Sequence, residues 1–271
     1  MSGMAVDNSG NIYVGDGSGR RVIKFDSMGN YLLEWGDDGR IGNDFNDIID
    51  LAVDNYGNIY ISEDNGRIIK FKCYGKYIRE WKEPDALGSI ATDAAGNLFI
   101  SHRCRDQIVK YSPHGELLHK WGSKGIKGWL DKAEGQFRFP LGVAVDNANR
   151  VYVVDSSNAR IQIFSTSGSF LWEWGKRGNE TGQFFRPGRI TVDFSGNVYV
   201  GDQSNRIQKF KLNFHSNRVE SITILSRPNQ INGLTVDSKE SVYVYDVIQQ
   251  KITKFNQNGI LCSEWSLDRT V

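Results

Sequence analysis

One segment recurs six times along this chain, and no other feature restricts its fold as strongly. It reads MAVDNSGNIYVGD from Met4, LAVDNYGNIYISE from Leu51, IATDAAGNLFISH from Ile90, VAVDNANRVYVVD from Val143, ITVDFSGNVYVGD from Ile190 and LTVDSKESVYVYD from Leu234. The aspartates closing the first apolar run (Asp7, Asp54, Asp93, Asp146, Asp193 and Asp237) recur at intervals of 39 to 53 residues. A basic-aliphatic-aromatic run follows each copy: RRVIKF, GRIIKF, DQIVKY, ARIQIF, NRIQKF and QKITKF. A last run then usually ends in tryptophan, as in YLLEWG, YIREW, ELLHKWG, FLWEWG and ILCSEW. Repeats of this length are one supersecondary unit each, stacked to share a core.

Each unit holds four short runs rich in Val, Ile, Tyr and Phe, which predict strands. Asp-x-x-Gly-Asn and x-x-Gly-x separate them, and their Gly and Asn accept positive φ. No segment sustains a helical period. Four antiparallel strands repeated six times predict an all-β, six-bladed β-propeller. Residues 1–271 are expected to form one domain, with blades at roughly 4–46, 47–86, 87–136, 137–184, 185–228 and 229–271. The pattern starts almost at once. A domain excised from a longer protein would begin so, and so would a ring that closes without an extra N-terminal strand.

The motifs Gly-Gln-Phe-x-x-Pro-x-Gly, Val-Ala-Val-Asp, Gly-Asn-x-Tyr-Val-x-Asp and Arg-Ile-Gln-x-Phe resemble the NHL repeat. The resemblance covers essentially the whole chain and is fullest in blade 4. Blade 3 departs most, with Thr92, His102 and Gln107 at positions usually held by valine, an acid and arginine. Blade 6 lacks the Gly-Asn turn and blade 5 the final Trp. The resemblance implies a propeller scaffold. In some relatives it also implies binding of single-stranded RNA on a basic face, and in others zinc lyase chemistry on amidated-peptide precursors.

Most repeated residues are expected to be structural. Asp16, Glu63, Asp155, Asp202 and Asp246 end the second strand, and Arg21, Arg67, Arg160, Arg206 and Lys251 begin the third. Each acid is expected to accept turn N–H groups and pair with its own base, rather than join a ring around a cation. Trp35, Trp81, Trp121, Trp174 and Trp265 are expected to pack between blades. The stretch GDGSGRR (15–21) leads into a strand, not a helix, so it is a turn and not a phosphate loop.

Catalytic signals are weak. The four histidines (His102, His114, His119 and His215) fall on different faces and radii, unlike a convergent zinc set. Asp50, Glu63, Asn229 and Asn232 are possible axial contributors to a calcium-type hydrolase, but nothing marks them as a site. No G-x-S-x-G elbow is present. Cys73, Cys104 and Cys262 form no CxxC and are expected as free thiols. No catalytic residue, cofactor or metal is assigned, and the reading leans away from an enzyme.

Recognition belongs where the blades differ. Connections from strand four to strand one vary strongly. Residues 122–142 carry Lys124, Lys127, Lys132, Arg138, Trp129, Phe137 and Phe139, and residues 175–189 carry Lys176, Arg177, Phe184, Phe185, Arg186 and Arg189. Across the ring, residues 36–50 are acidic, with Asp37, Asp38, Asp44, Asp47 and Asp50. One face is therefore expected to be basic over blades 3–5 and acidic over blades 1–2, although 33 basic and 32 acidic residues nearly cancel overall. The position preceding strand one is Gly3, Asp50, Ser89, Gly142, Arg189 and Gly233 in blade order. Its two charges, Asp50 and Arg189, lie on opposed blades. Facing each other across the channel mouth, they would orient a dipolar or zwitterionic ligand; the alternative is that both point outward into solvent or pair with loop neighbours.

Three functions follow. The preferred one is a non-catalytic binding propeller that docks a protein, peptide or glycan through Asp50, Arg189, Arg186, Phe185, Arg138, Phe139, Trp129, Lys176 and Arg177. Phe137 and Phe184 are expected as plugs beneath the loops. Single-stranded RNA on the basic sector is the second reading, against the balanced charge, and an axial metal-dependent lyase or hydrolase is the third. A monomeric domain without membrane insertion is expected. The chain shows no leader or apolar span of ~18 residues, and its compartment is left open.

Overall fold

The computed structural model describes residues 3–17, 19–36, 44–85, 87–124, 133–226 and 231–267. Among them the chain forms six four-stranded antiparallel sheets, each in simple sequence order. Blade 1 runs through Met4–Val6, Ile12–Asp16, Arg21–Phe25 and Tyr31–Trp35, and blade 2 through Ile48–Val53, Asn58–Glu63, Arg67–Lys72 and Tyr77–Lys82. Blade 3 comprises Ile90–Thr92, Leu98–His102, Gln107–Tyr111 and Leu117–Trp121, and blade 4 Pro140–Val145, Arg150–Asp155, Arg160–Ser165 and Phe170–Trp174. Blade 5 comprises Pro187–Val192, Val198–Asp202, Arg206–Asn213 and Arg218–Ser226, and blade 6 Gly233–Val236, Val242–Asp246, Lys251–Phe255 and Leu261–Ser266. This is the six-bladed propeller that the repeats predict. A 3-10 turn (Ser156–Asn158) and a two-residue parallel ribbon (Ser123–Lys124 with Gln136–Phe137) are added to it.

Strand two is buried along its whole length in five blades and, in blade 4, at every residue but the first, Arg150. It is sandwiched between neighbouring blades, so both of its faces are apolar. Strand four forms the outer wall and is largely exposed in blades 1 and 3 until its terminal Trp. The core is therefore not one mass but six clusters, one at each blade interface.

The tryptophans cement these interfaces. Trp35 lies 6.4 Å from Tyr13 of its own blade and 6.0 Å from Phe71 of the next. Trp265 repeats this between Tyr243 and Phe25, which joins blade 6 to blade 1. It also lies against Gly29, where φ is +90° and an added Cβ would meet the indole at 2.7 Å. Only glycine meets both demands at that turn. Blade 6 takes all four strands from one continuous segment, so the ring closes by side-chain packing rather than strand exchange.

The repeated aspartates build the first turn of each blade. Asp54 accepts the N–H groups of Tyr56 and Asn58 on one oxygen, and the Asn58 amide and Tyr60 hydroxyl on the other. Asp7, Asp146, Asp193 and Asp237 hold Tyr13, Tyr152, Tyr199 and Tyr243 in the same way. In blade 3 the tyrosine is replaced by Phe99, and Asp93 keeps its turn bonds and meets Lys110 Nζ at 3.9 Å.

Candidate functional site

The acid–base pairs at the end of strand two tie down the variable connections. Asp155 accepts Nε of Arg160 at 2.8 Å and also the Arg138 N–H at 2.8 Å. Asp202 does the same for Arg206 and the Phe185 N–H. Glu63 accepts the Asn46 N–H but meets Arg67 only as an ion contact at 3.7 Å, because Arg67 Nε donates to Glu80 instead. Asp246 instead accepts the N–H groups of Ile248 and Gln249, and Lys251 pairs with Glu264 of strand four. In blade 3 His102 takes the acid position, with its Nε2 2.6 Å from the Pro84 carbonyl. An acid thus pairs with its own base in blades 1, 2, 4 and 5 but not in blade 6.

The Arg-Ile-Gln and Gly-Gln-Phe motifs prove to be two halves of one clamp. The Gln162 side chain accepts the Gly135 N–H and donates to the Gln136 carbonyl, while Arg160 donates to the carbonyls of Ala133 and Gln136. Gln208 and Arg206 hold residues 178–183 equivalently. Phe137 and Phe184 are fully buried beneath these loops as plugs. Phe45 plugs blade 2 in the same way, although sequence reading did not single it out. Its signal was available, because Phe45 stands five residues before Asp50 as Phe184 stands five before Arg189.

Clamped from below, the connections present two neighbouring cavities. The outer one, about 400 Å³, is lined by Arg138, Phe139, Arg177 and Arg186 with Leu141, Ser156, Ser157 and Gln203. The inner one, about 480 Å³, is an axial vestibule that shares Leu141, Arg186 and Gln203 and reaches Ser89 and Arg189. Beyond it a polar channel of about 270 Å³ continues along the axis, lined by the first strands. Phe139 and Arg186 occupy equivalent positions before a proline, at φ +57° and +48°. An aromatic in this left-handed region is an uncommon, strained conformation.

Asp50 and Arg189 meet at the boundary between vestibule and channel, with Nη1 to Oδ2 at 3.7 Å. Arg189 also donates to Ser89 Oγ at 3.4 Å, and Asp50 accepts the Ile90 N–H at 3.3 Å. Burial pushes the Asp50 carboxyl above its ordinary range, against the opposing pull of Arg189 and the Ser89 hydroxyl. A register shift precedes each of the two residues, between Ile48 and Asp50 and between Pro187 and Arg189. Such bulges re-aim the side chains that follow.

Arg138, Phe139, Arg177 and Arg186 thus share one cavity, and Asp50 and Arg189 share the axis. Phe185 is 40% exposed on the same face without lining either cavity. Lys176 is exposed and also lines neither. Trp129 lies outside the described residues, as do Lys127, Lys132, Asp37, Asp38 and Asn229. Of the proposed axial residues, Asn232 lines the vestibule while Glu63 is spent on its clamp. Ser157 and Gln203 were missed because they come from turns between strands two and three, which share this face. Ile231 was missed because a single aliphatic residue gives no functional signal.

Fold and repeat together define a β-propeller of six four-stranded blades. The family model of the NHL repeat matches residues 137–164, within the fourth blade. The chain is 36% identical over 143 residues to Protein brain tumor of Drosophila melanogaster, a match covering 52% of this chain and 13% of that protein. It is 28% identical over 171 residues to peptidyl-glycine alpha-amidating monooxygenase B of Xenopus laevis, covering 59% of this chain and 19% of that one. The chain therefore matches less than a fifth of either relative. Among solved structures, virginiamycin B lyase from Staphylococcus aureus superposes with a TM-score of 0.66 at 16% identity, covering 99% of this chain and 84% of that one. The U3-55K structure gives 0.64 at 12% identity, covering 89% and 72%. Identities this low establish the fold alone. Residues 137–164 thus match an NHL repeat, within a chain that folds as a six-bladed β-propeller.

Proposed function

We propose that this propeller is a binding module whose variable face docks an anionic segment of a protein or peptide partner. The observation that carries this reading is the convergence of Arg138, Arg177 and Arg186 on one cavity rimmed by the exposed Phe139 ring. Guanidinium groups suit carboxylate and phosphate, and an aromatic rim adds an apolar anchor. On the opposite sector Asp44, paired with Arg67, and the exposed Asp47 supply the other sign, which sets the orientation of a partner.

Fluorescence anisotropy with acidic and phosphorylated peptides tests this. Micromolar binding is expected, weakened at least tenfold by Arg138→Ala combined with Arg186→Ala. Absence of binding to every acidic peptide at low salt would refute it.

A second reading is supported by Phe139 and Phe185, exposed at 42% and 40% beside these arginines. Bases of single-stranded RNA stack on such rings while arginines meet phosphates. Under this reading an unstructured RNA binds more tightly than the peptides, with a steep salt dependence.

A further inference from the structure

The axial channel opens at its other end, remote from the vestibule, into a small mouth of about 150 Å³. Four successive blades, 4, 5, 6 and 1, build it, each supplying the end of strand one and the turn that follows. Val6, Val145, Val192 and Val236 are its apolar lining. The residue after the repeated aspartate completes it, as Asn147, Phe194, Ser238 and Asn8 in ring order. Blades 4 and 1 are opposed in a six-bladed ring. The two asparagines therefore stand on either side of the mouth, with the aromatic and the hydroxyl residue between them.

We propose that this mouth binds the terminal sugar of a neutral glycan. Three observations carry this. First, no Lys or Arg lines it, and the aspartates that do are already spent. Asp7, Asp146, Asp193 and Asp237 each give one oxygen to turn N–H groups and the other to a tyrosine hydroxyl. The mouth therefore offers no spare charge to an ionic ligand. Second, the carboxamides of Asn8 and Asn147 are exposed and hydrogen-bond to no other described residue. A carboxamide both donates and accepts, as a sugar hydroxyl does. Third, Phe194 is 78% exposed at a position where the other five blades place Asn, Ala or Ser. It adds nothing to the core, and the electron-rich face of its ring attracts the C–H groups on the flat side of a sugar. The mouth is smaller than pockets for drug-sized ligands, which suits one sugar at the end of a chain. A nucleobase also stacks on such a ring, but no cation lines the mouth to meet its phosphate. The site lies at the far end of the channel from the arginine cavity and does not depend on the function proposed for that cavity.

Saturation-transfer NMR and titration calorimetry of the 271-residue chain test the proposal. The probes are the methyl glycosides of glucose, galactose, mannose and N-acetylglucosamine, with adenosine as the competing chemistry. At least one glycoside is expected to bind with millimolar affinity, and more tightly than adenosine. Phe194→Ala is expected to weaken that binding at least tenfold, and Phe194→Trp to retain it. Neither should change the unfolding midpoint, because the Phe194 side chain lies outside the core. Arg138→Ala combined with Arg186→Ala, which removes two arginines of the outer cavity, is expected to leave glycoside binding intact. Failure of every glycoside to bind at tens of millimolar overturns the proposal. So does undiminished binding by Phe194→Ala, or binding of adenosine tighter than that of any glycoside.

Discussion

Lys254 of the sixth blade donates its Nζ hydrogen bond to the Ser27 carbonyl of the first at 3.0 Å, across 227 residues of chain. The same ammonium sits 5.2 Å from the centre of the Tyr243 ring. Lys24, Lys70 and Lys110 repeat this arrangement, each over its own blade's aromatic and each donating to a carbonyl of the following blade. Ring closure is thus one more copy of an ordinary blade interface. Lys254→Ala should cost about 1–2 kcal/mol, from a charged hydrogen bond and a cation–π contact. Lys24→Ala should cost a similar amount, as denaturant unfolding of the two variants will show. A far larger loss for Lys254 would mean that closure is a special joint.

The Asp155–Arg160 pair is the most deeply buried of the strand-two clamps, with Arg160 side chain 1% and Asp155 0% exposed. Asp155→Ala removes the fully buried one of two carboxylates on Arg160, whose Nη1 still meets Glu173, and leaves the Arg138 N–H without its acceptor. A loss of about 1–3 kcal/mol is expected in equilibrium unfolding. Asp155→Asn keeps an acceptor oxygen and should lose less.

Tyr13, Tyr60, Tyr152, Tyr199 and Tyr243 are all held above the ordinary phenol range, first by burial and then by the aspartate each one touches. A raised folded-state value stabilises the fold fully below the unfolded value of about 10, and that contribution is lost as pH rises through the folded value. Alkaline titration should therefore show phenolate absorbance from these five appearing together with loss of the β-sheet circular dichroism signal. Ionisation of all five in a still-folded protein would contradict the buried Asp–Tyr arrangement.

Phe139 combines strain with exposure. Relieving a left-handed φ by Phe139→Gly gains about 1–2 kcal/mol, offset by about 0.5–1 kcal/mol of added unfolded-state freedom. The thermal midpoint should therefore hold or rise slightly. Peptide binding at the outer cavity should still weaken, because the aromatic rim is gone. Unchanged peptide affinity would remove Phe139 from the site.

How far the chain could be read in advance depended on whether a feature repeats. The six Val-Asp segments, the Gly-Asn turns and the terminal tryptophans announced the blades, because every blade must solve the same burial problem and so writes the same residues. The plugs Phe137 and Phe184 were legible for that reason. Opposition of Asp50 and Arg189 was also legible, since six-fold counting places blades 2 and 5 across the ring. The bulges before those two residues were not. They depend on pairing register, which brings Asp50 Oδ2 and Arg189 Nη1 within 3.7 Å and frees Ile49 and Gly188 to line the vestibule. Nor did the sequence show that Ser157 and Gln203, from turns of blades 4 and 5, would complete the arginine cavity. Local pattern alone was enough to determine the scaffold, since strand period and turn chemistry act over a few residues. The site was decided by tertiary structure, since it is assembled from positions that differ between blades and meet only when the ring closes.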